Sequence, residues 1–126
     1  MDKKISYRIL VIEDNSDSAE SLKMLLEINN HTVEAAFDGD DGVAKALSFE
    51  PQIVVCDIGL PGRIDGLEVA KILRRDEKFQ SLYLIALSGY GQSEDVNEAV
   101  SAGFNDYLVK PADFDKLIKL IEKCGK

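Results

Sequence analysis

Five short apolar runs punctuate the chain at Arg8–Ile12, Thr32–Ala36, Gln52–Cys56, Leu82–Leu87 and Asp106–Val109, rich as a set in Val, Ile and Tyr. Runs of this length and composition predict strands. Between them the apolar spacing changes to about 3.6 residues, as at Leu22, Leu25, Leu26 and Asn29, then Val43, Ala44 and Leu47, then Val96, Ala99, Val100 and Phe104. Each set predicts a helix with one apolar stripe. The last helix is the clearest: Phe114, Leu117, Ile118 and Ile121 follow an Asp113 cap, and Lys119 and Lys123 suit the negative end of its dipole. Gly39, Pro51, Gly62, Gly66, Gly89, Gly91, Gly103 and Pro111 fall between elements or at their edges, as turn chemistry requires.

Strand and helix thus alternate five times, and residues 8–12, 52–56 and 82–87 are nearly all apolar rather than alternating. Such strands are buried on both faces, which predicts a parallel sheet with helices on each side. The expected fold is α/β, a doubly wound (βα)5 three-layer sandwich of flavodoxin-like strand order 2-1-3-4-5. We expect one domain over residues 1–126 with no output domain, since neither a repeat nor a linker interrupts the pattern.

In such sheets ligands bind beyond the carboxyl ends of the strands. There the first strand ends in Glu13-Asp14, the third in Asp57 and the fourth in Ser88-Gly89, and the fifth runs into Lys110-Pro111. With the third strand beside the first, the three acids form one cluster. Two like charges 4 Å apart repel by roughly 4 kcal/mol at an effective dielectric near 20, so the cluster calls for a cation. Hard carboxylate oxygens without His or Cys suit Mg²⁺ (or Mn²⁺), and Lys110 adds a second positive charge. A carboxylate so placed can attack phosphorus to form an aspartyl-phosphate, with Ser88 as a hydroxyl donor to the attached group.

Charge narrows the partners. Fifteen basic against twenty-three acidic residues leave a net charge of −8, which would repel nucleic acid or an anionic membrane surface. No apolar run reaches the roughly 20 residues of a membrane span, and Ile9–Ile12 is too short for a secretory signal, so a cytoplasmic protein is expected. Cys56 and Cys124 have neither metal-ligand nor disulfide spacing and read as structural. His31 reads as a surface turn residue, and the acids at 38, 40, 41, 94, 95 and 98 as solvated helix starts.

The blocks Val11-Ile12-Glu13-Asp14-Asn15, Cys56-Asp57-Ile58-Gly59-Leu60-Pro61, Ala86-Leu87-Ser88-Gly89-Tyr90-Gly91 and Tyr107-Leu108-Val109-Lys110-Pro111 occur in order along the chain. Together they resemble the signature blocks of receiver domains of two-component response regulators. The resemblance covers nearly the whole chain and implies a phosphorelay switch, not an enzyme acting on other substrates. By it, Asp57 is the phosphoacceptor, Asp14 a direct Mg²⁺ ligand, Glu13 a partner through metal-bound water, and Gly59 a carbonyl donor to the metal. Lys110 contacts the phosphoryl group and precedes Pro111 through a cis bond, while Ser88 and Tyr107 form a switch pair; Gly89 and Pro61 support the site. The implied partners are a sensor histidine kinase or histidine phosphotransfer protein and a downstream protein target, bound through helix four, strand five and helix five.

One stretch departs from the family pattern. Pro61 is followed by Gly62-Arg63-Ile64-Asp65-Gly66, one residue longer than usual, which leaves the placement of Asp65 and Gly66 open and sets Arg63 near the site. Three other functions compete. An aspartate-nucleophile phosphatase would carry a second acid two residues after Asp57, where Gly59 stands. A flavodoxin would bind phosphate where Glu13-Asp14 would repel it. A receiver-like module that is never phosphorylated would lack some of the groups present here.

Overall fold

The computed structural model describes residues 5–89, 93–110 and 113–124, with the side chains of 93–95 excepted. Strands β1 (Arg8–Ile12), β2 (Thr32–Ala36), β3 (Ile53–Asp57), β4 (Tyr83–Ser88) and β5 (Asp106–Val109) alternate with helices α1 (Ser16–Ile28), α2 (Gly39–Phe49), α3 (Gly66–Arg74), α4 (Ser93–Ala102) and α5 (Phe114–Cys124). All strand pairs are parallel, and the sheet order is β2-β1-β3-β4-β5. Two apolar layers flank the sheet. Leu10, Ile12, Val54, Cys56 and Leu84 face α2, α3 and α4, while Ile9, Val11, Ile53, Val55 and Ile85 pack with Leu22, Leu26, Leu117 and Ile121 of α1 and α5. Each fully buried Leu or Ile contributes about 2 kcal/mol by leaving water.

β3 and β4 each lie one residue further along than the apolar runs predict. Gln52 is exposed and its side-chain oxygen accepts the Arg8 N–H at 3.0 Å, whereas Asp57 pairs with Leu87 and Ser88 with Val109. Hydropathy stops at the last apolar residue, but the ladder continues into the polar residues that form the site.

The stripe predicted for α2 is misplaced. Ala44 and Leu47 are exposed and Val43 only partly covered; Gly39, Gly42 and Ala46 are buried instead. A Cβ on Gly42 would stand 2.6 Å from Ile12 Cδ1, and one on Gly39 2.3 Å from the Ile64 carbonyl oxygen. The helix is drawn close to the sheet by lacking side chains, a signal that apolar periodicity does not carry. α4 likewise buries Ala99 and Ala102 and exposes Val100. In α5, Leu117 and Ile121 are buried as expected, Phe114 is exposed, and Asp113 accepts the Lys116 N–H at 3.2 Å.

His31 is not a simple surface residue. It is half-buried, stacks on the Tyr7 ring at 5.7 Å, and accepts the Tyr7 N–H through Nδ1 at 3.1 Å. Burial holds its pKa below the ordinary value. Asp38 and the first-turn acids Asp40 and Asp41 behave as expected: Asp38 caps α2 by accepting the Asp41 N–H at 2.7 Å.

Candidate phosphoryl-transfer site

The register that pairs Ile12 with Cys56 and Asp57 with Leu87 brings the ends of β1, β3 and β4 to one rim. The acids of β1 and β3 converge there. Glu13, Asp14 and Asp57 each offer a carboxylate oxygen, and these atoms lie within 4.8 Å of one another. Glu13 is 1% exposed and Asp57 6%, whereas Asp14 faces solvent.

Lys110, just past β5, holds the two buried acids together. Its Nζ lies 2.6 Å from Asp57 Oδ2 and 3.0 Å from Glu13 Oε1. The other Asp57 oxygen accepts the Gly59 N–H at 2.9 Å, and the other Glu13 oxygen accepts the Asn15 N–H at 3.1 Å. Burial raises the Glu13 carboxyl above its ordinary pKa despite Lys110 and the Asn15 amide, and the Asp57 charge pushes the same way. For Lys110 burial opposes the charge, but its bonds to Asp57 and Glu13 prevail and raise its pKa. Three acids facing one ammonium leave the rim net negative, and all the cation-facing ligands in the cluster are hard oxygens. This donor set suits Mg²⁺.

The remaining predicted residues are placed as follows. Ser88 ends β4 and is 4% exposed; its carbonyl accepts the Lys110 N–H at 2.6 Å, which ties the lysine loop to β4. Gly89 is exposed, and a Cβ there would meet nothing within 4 Å. Pro61 is exposed, and Tyr107 is 37% exposed, outside the rim. Pro111, the Lys110-Pro111 bond, Tyr90 and Gly91 lie outside the described residues. Cys56, directly before Asp57, is fully buried in the core, in keeping with a structural role.

The lengthened loop after Asp57 leaves α3 anchored. Asp65 caps α3 by accepting the Glu68 N–H at 2.9 Å, and the Gly66 N–H donates to the Ile58 carbonyl at 3.0 Å. Between Pro61 and Ile64, Gly62 takes φ 95°, a left-handed conformation that glycine accepts without strain. Arg63 reaches Asp40 at the start of α2, at 2.7 Å. Two supports of the site escaped the sequence reading. One is Asn15, which caps α1 through its side chain while its N–H holds Glu13. The other is Gly66, where a Cβ would lie 2.2 Å from the Asp57 carbonyl oxygen and 2.6 Å from Ile58 Cα. The pattern Asp-Gly before a helix was a visible cue to a cap and a close approach, but not to what lies beneath it.

Fold and rim together define a doubly wound α/β domain in which a buried Asp57 pairs with a partly exposed Lys110 inside an acidic cluster. A family model described as "Response regulator receiver domain" matches residues 9–122, and the chain belongs to that family of signalling switches in two-component systems. It is 33% identical over 111 residues to the DNA-binding dual master transcriptional regulator RpaA of Synechocystis, covering 88% of this chain and 46% of that protein. It is also 34% identical to a 14.6 kDa protein of Leptolyngbya boryana, over 91% of this chain and 87% of that one. The chain therefore spans less than half the length of the Synechocystis regulator. Among solved structures, the Francisella response regulator 1452 receiver domain superposes with a TM-score of 0.86 at 28% identity, covering 94% of this chain and 96% of that one.

Proposed function

We propose that the chain is a phosphoacceptor whose Asp57 takes a phosphoryl group from a phosphohistidine of a sensor histidine kinase or phosphotransfer protein. A carboxylate oxygen of Asp57 attacks phosphorus, the P–N bond breaks, and the imidazole leaves with its electron pair and takes up a proton. The product is an acyl phosphate on Asp57. The observation that carries this reading is the 2.6 Å contact of Lys110 Nζ with a buried Asp57 carboxylate flanked by two more acids.

Each side chain has a task in that step. The Gly59 N–H and Lys110 orient the Asp57 carboxylate, and Lys110 follows the charge onto the new phosphoryl oxygens. Ser88 supplies a hydroxyl toward the same group. Asp14, Asp57, Glu13 and the main-chain carbonyl of Gly59 are the groups to hold Mg²⁺, which when bound offsets phosphoryl charge. Phosphorylation adds about −1.5 to −2 charges and biases a two-state surface of α4, β5 and α5. Val100, Tyr107 and Val109 are exposed there, an apolar face for a downstream protein. A net charge of −8 argues against nucleic acid as the ligand of this domain. No helix among the described residues is long and apolar enough to cross a membrane, and a cytoplasmic location fits the reading.

Acetyl phosphate with Mg²⁺, followed by intact mass, tests the proposal. Wild type gains one phosphoryl group; Asp57→Asn, or wild type with the metal chelated, gains none. Wild type left unmodified under conditions that label a control receiver would instead establish the inert interaction module.

A further inference from the structure

Packing holds α4 less firmly than it holds its neighbours. Among the described side chains α4 buries only Ala99 and Ala102, with Val96 partly covered, whereas α3 buries Val69, Ala70 and Leu73 and α5 buries Leu117 and Ile121. An alanine offers one methyl group, so little apolar surface leaves water along this helix.

One end of α4 is fastened by other means. Past Ala102, Phe104 is buried and its N–H donates to the Ala99 carbonyl at 3.0 Å, while the Asn105 N–H donates to the Leu84 carbonyl of β4 at 2.8 Å. Arg74, the last residue of α3, grips the same place from the side. Its Nε donates to the Gly103 carbonyl at 2.9 Å, and its Nη2 donates at 2.8 Å to the Asn105 side-chain oxygen, which also accepts the Leu84 N–H. The remaining terminal nitrogen, Nη1, donates to the Phe79 carbonyl at 2.9 Å, and the Gln80 side chain donates back to the Arg74 carbonyl at 2.8 Å. The acceptors are neutral and fan out in directions that a planar guanidinium meets and a single ammonium does not. Gly103 completes the seat: it takes φ 120°, and a Cβ on it would stand 2.6 Å from Arg74 Cγ. The opposite end of α4 follows Ser88-Gly89, at the acidic rim.

We propose that Arg74 is the pivot of the switch: the carboxyl end of α4 stays seated on the Arg74 fork, and the rest of the helix tilts when the rim changes. Rotation is then absorbed at an element end, where hinges are commonly found. This inference rests on the two-state surface proposed above and assigns which part of it moves. Arg74 touches no reacting atom and acts as a positioning residue.

Two readings on the isotopically enriched chain test the pivot. With acetyl phosphate and Mg²⁺, and the added mass confirmed, the amide resonances of residues 96–99 should shift while those of 102–105 stay near their starting positions. In Arg74→Lys, which keeps the charge and loses the fork, the shifts should spread into 102–105 although the phosphoryl gain matches wild type. Without phosphate, the same variant should speed amide hydrogen exchange at Phe104 and Asn105 about tenfold, the loss of one charge-assisted hydrogen bond, and leave Val11 and Val55 unchanged. Gly103→Ala, which crowds the fork from the other side, should reproduce both effects. A wild type that gains no mass, beside faster exchange in Arg74→Lys, would remove the phosphoacceptor reading and leave the Arg74 anchor standing. Shifts as large at 102–105 as at 96–99 in phosphorylated wild type, or unchanged exchange in Arg74→Lys, would overturn the pivot.

Discussion

At the carboxyl rim, Glu13 and Asp57 bury two like charges whose oxygens lie 2.6 and 3.0 Å from one ammonium. The opposite edge is closed by other means. There the Arg8 guanidinium lies over the Phe49 ring at 4.3 Å and bonds the carbonyls of Phe49 and Glu50, and Tyr7 is fastened to neutral His31. Among the described residues no buried carboxylate takes part. The edge is built to hold the fold, whereas the rim keeps together like charges that a bound cation would relieve. The same sheet therefore serves as a scaffold at one end and as a stressed, chemically ready surface at the other.

The most damaging way to break this contrast is Gly66→Ala. The added Cβ would meet main-chain atoms beneath Asp57, so we expect a loss of about 3 kcal/mol in urea unfolding together with slower acetyl-phosphate labelling. Stability within a few tenths of wild type would mean that α3 can retreat without cost. Lys110→Met comes next. It leaves Glu13 and Asp57 without their cation, and since Lys110 is partly exposed we expect about 2 kcal/mol at low ionic strength. Saturating Mg²⁺ should restore more stability to this variant than it adds to wild type; an equal gain would show that the rim is not charge-stressed.

The smallest effect sharpens the other end. Because burial lowers the folded pKa of His31 below its ordinary 6.5, folding favours the neutral ring, whose Nδ1 accepts the Tyr7 N–H. That stability is complete above pH 6.5 and is lost as pH falls from there through the depressed folded pKa. Unfolding free energies measured between pH 7 and 5 should fall less steeply in His31→Gln than in wild type. Parallel curves would assign the acid sensitivity to other groups.

Much of this was visible in the chain of letters. Apolar runs and helical stripes located five strands and four of the five helices, α3 having been given no stripe, and strand ends alone named Glu13, Asp14, Asp57, Ser88 and Lys110 as neighbours, because in a parallel sheet every carboxyl end reaches the same rim. The buried face of α2 was misread because Gly39 and Gly42 carry no hydropathy signal, though they let the helix approach most closely. Gly66, Asn15 and His31 were missed or underrated for a related reason: what each does depends on a partner distant in sequence or on the main chain itself.

Periodicity and residue type thus determined which elements form, their order and the chemistry gathered at the rim, since these follow from local backbone preference and the burial of one apolar face. Only the tertiary structure decided how near the layers approach, which oxygens Lys110 shares, and that a tyrosine hydroxyl at the far edge is left without an acceptor. Those outcomes depend on distances of an ångström or less between surfaces brought together by folding, and no single stretch of sequence contains both sides of such a contact.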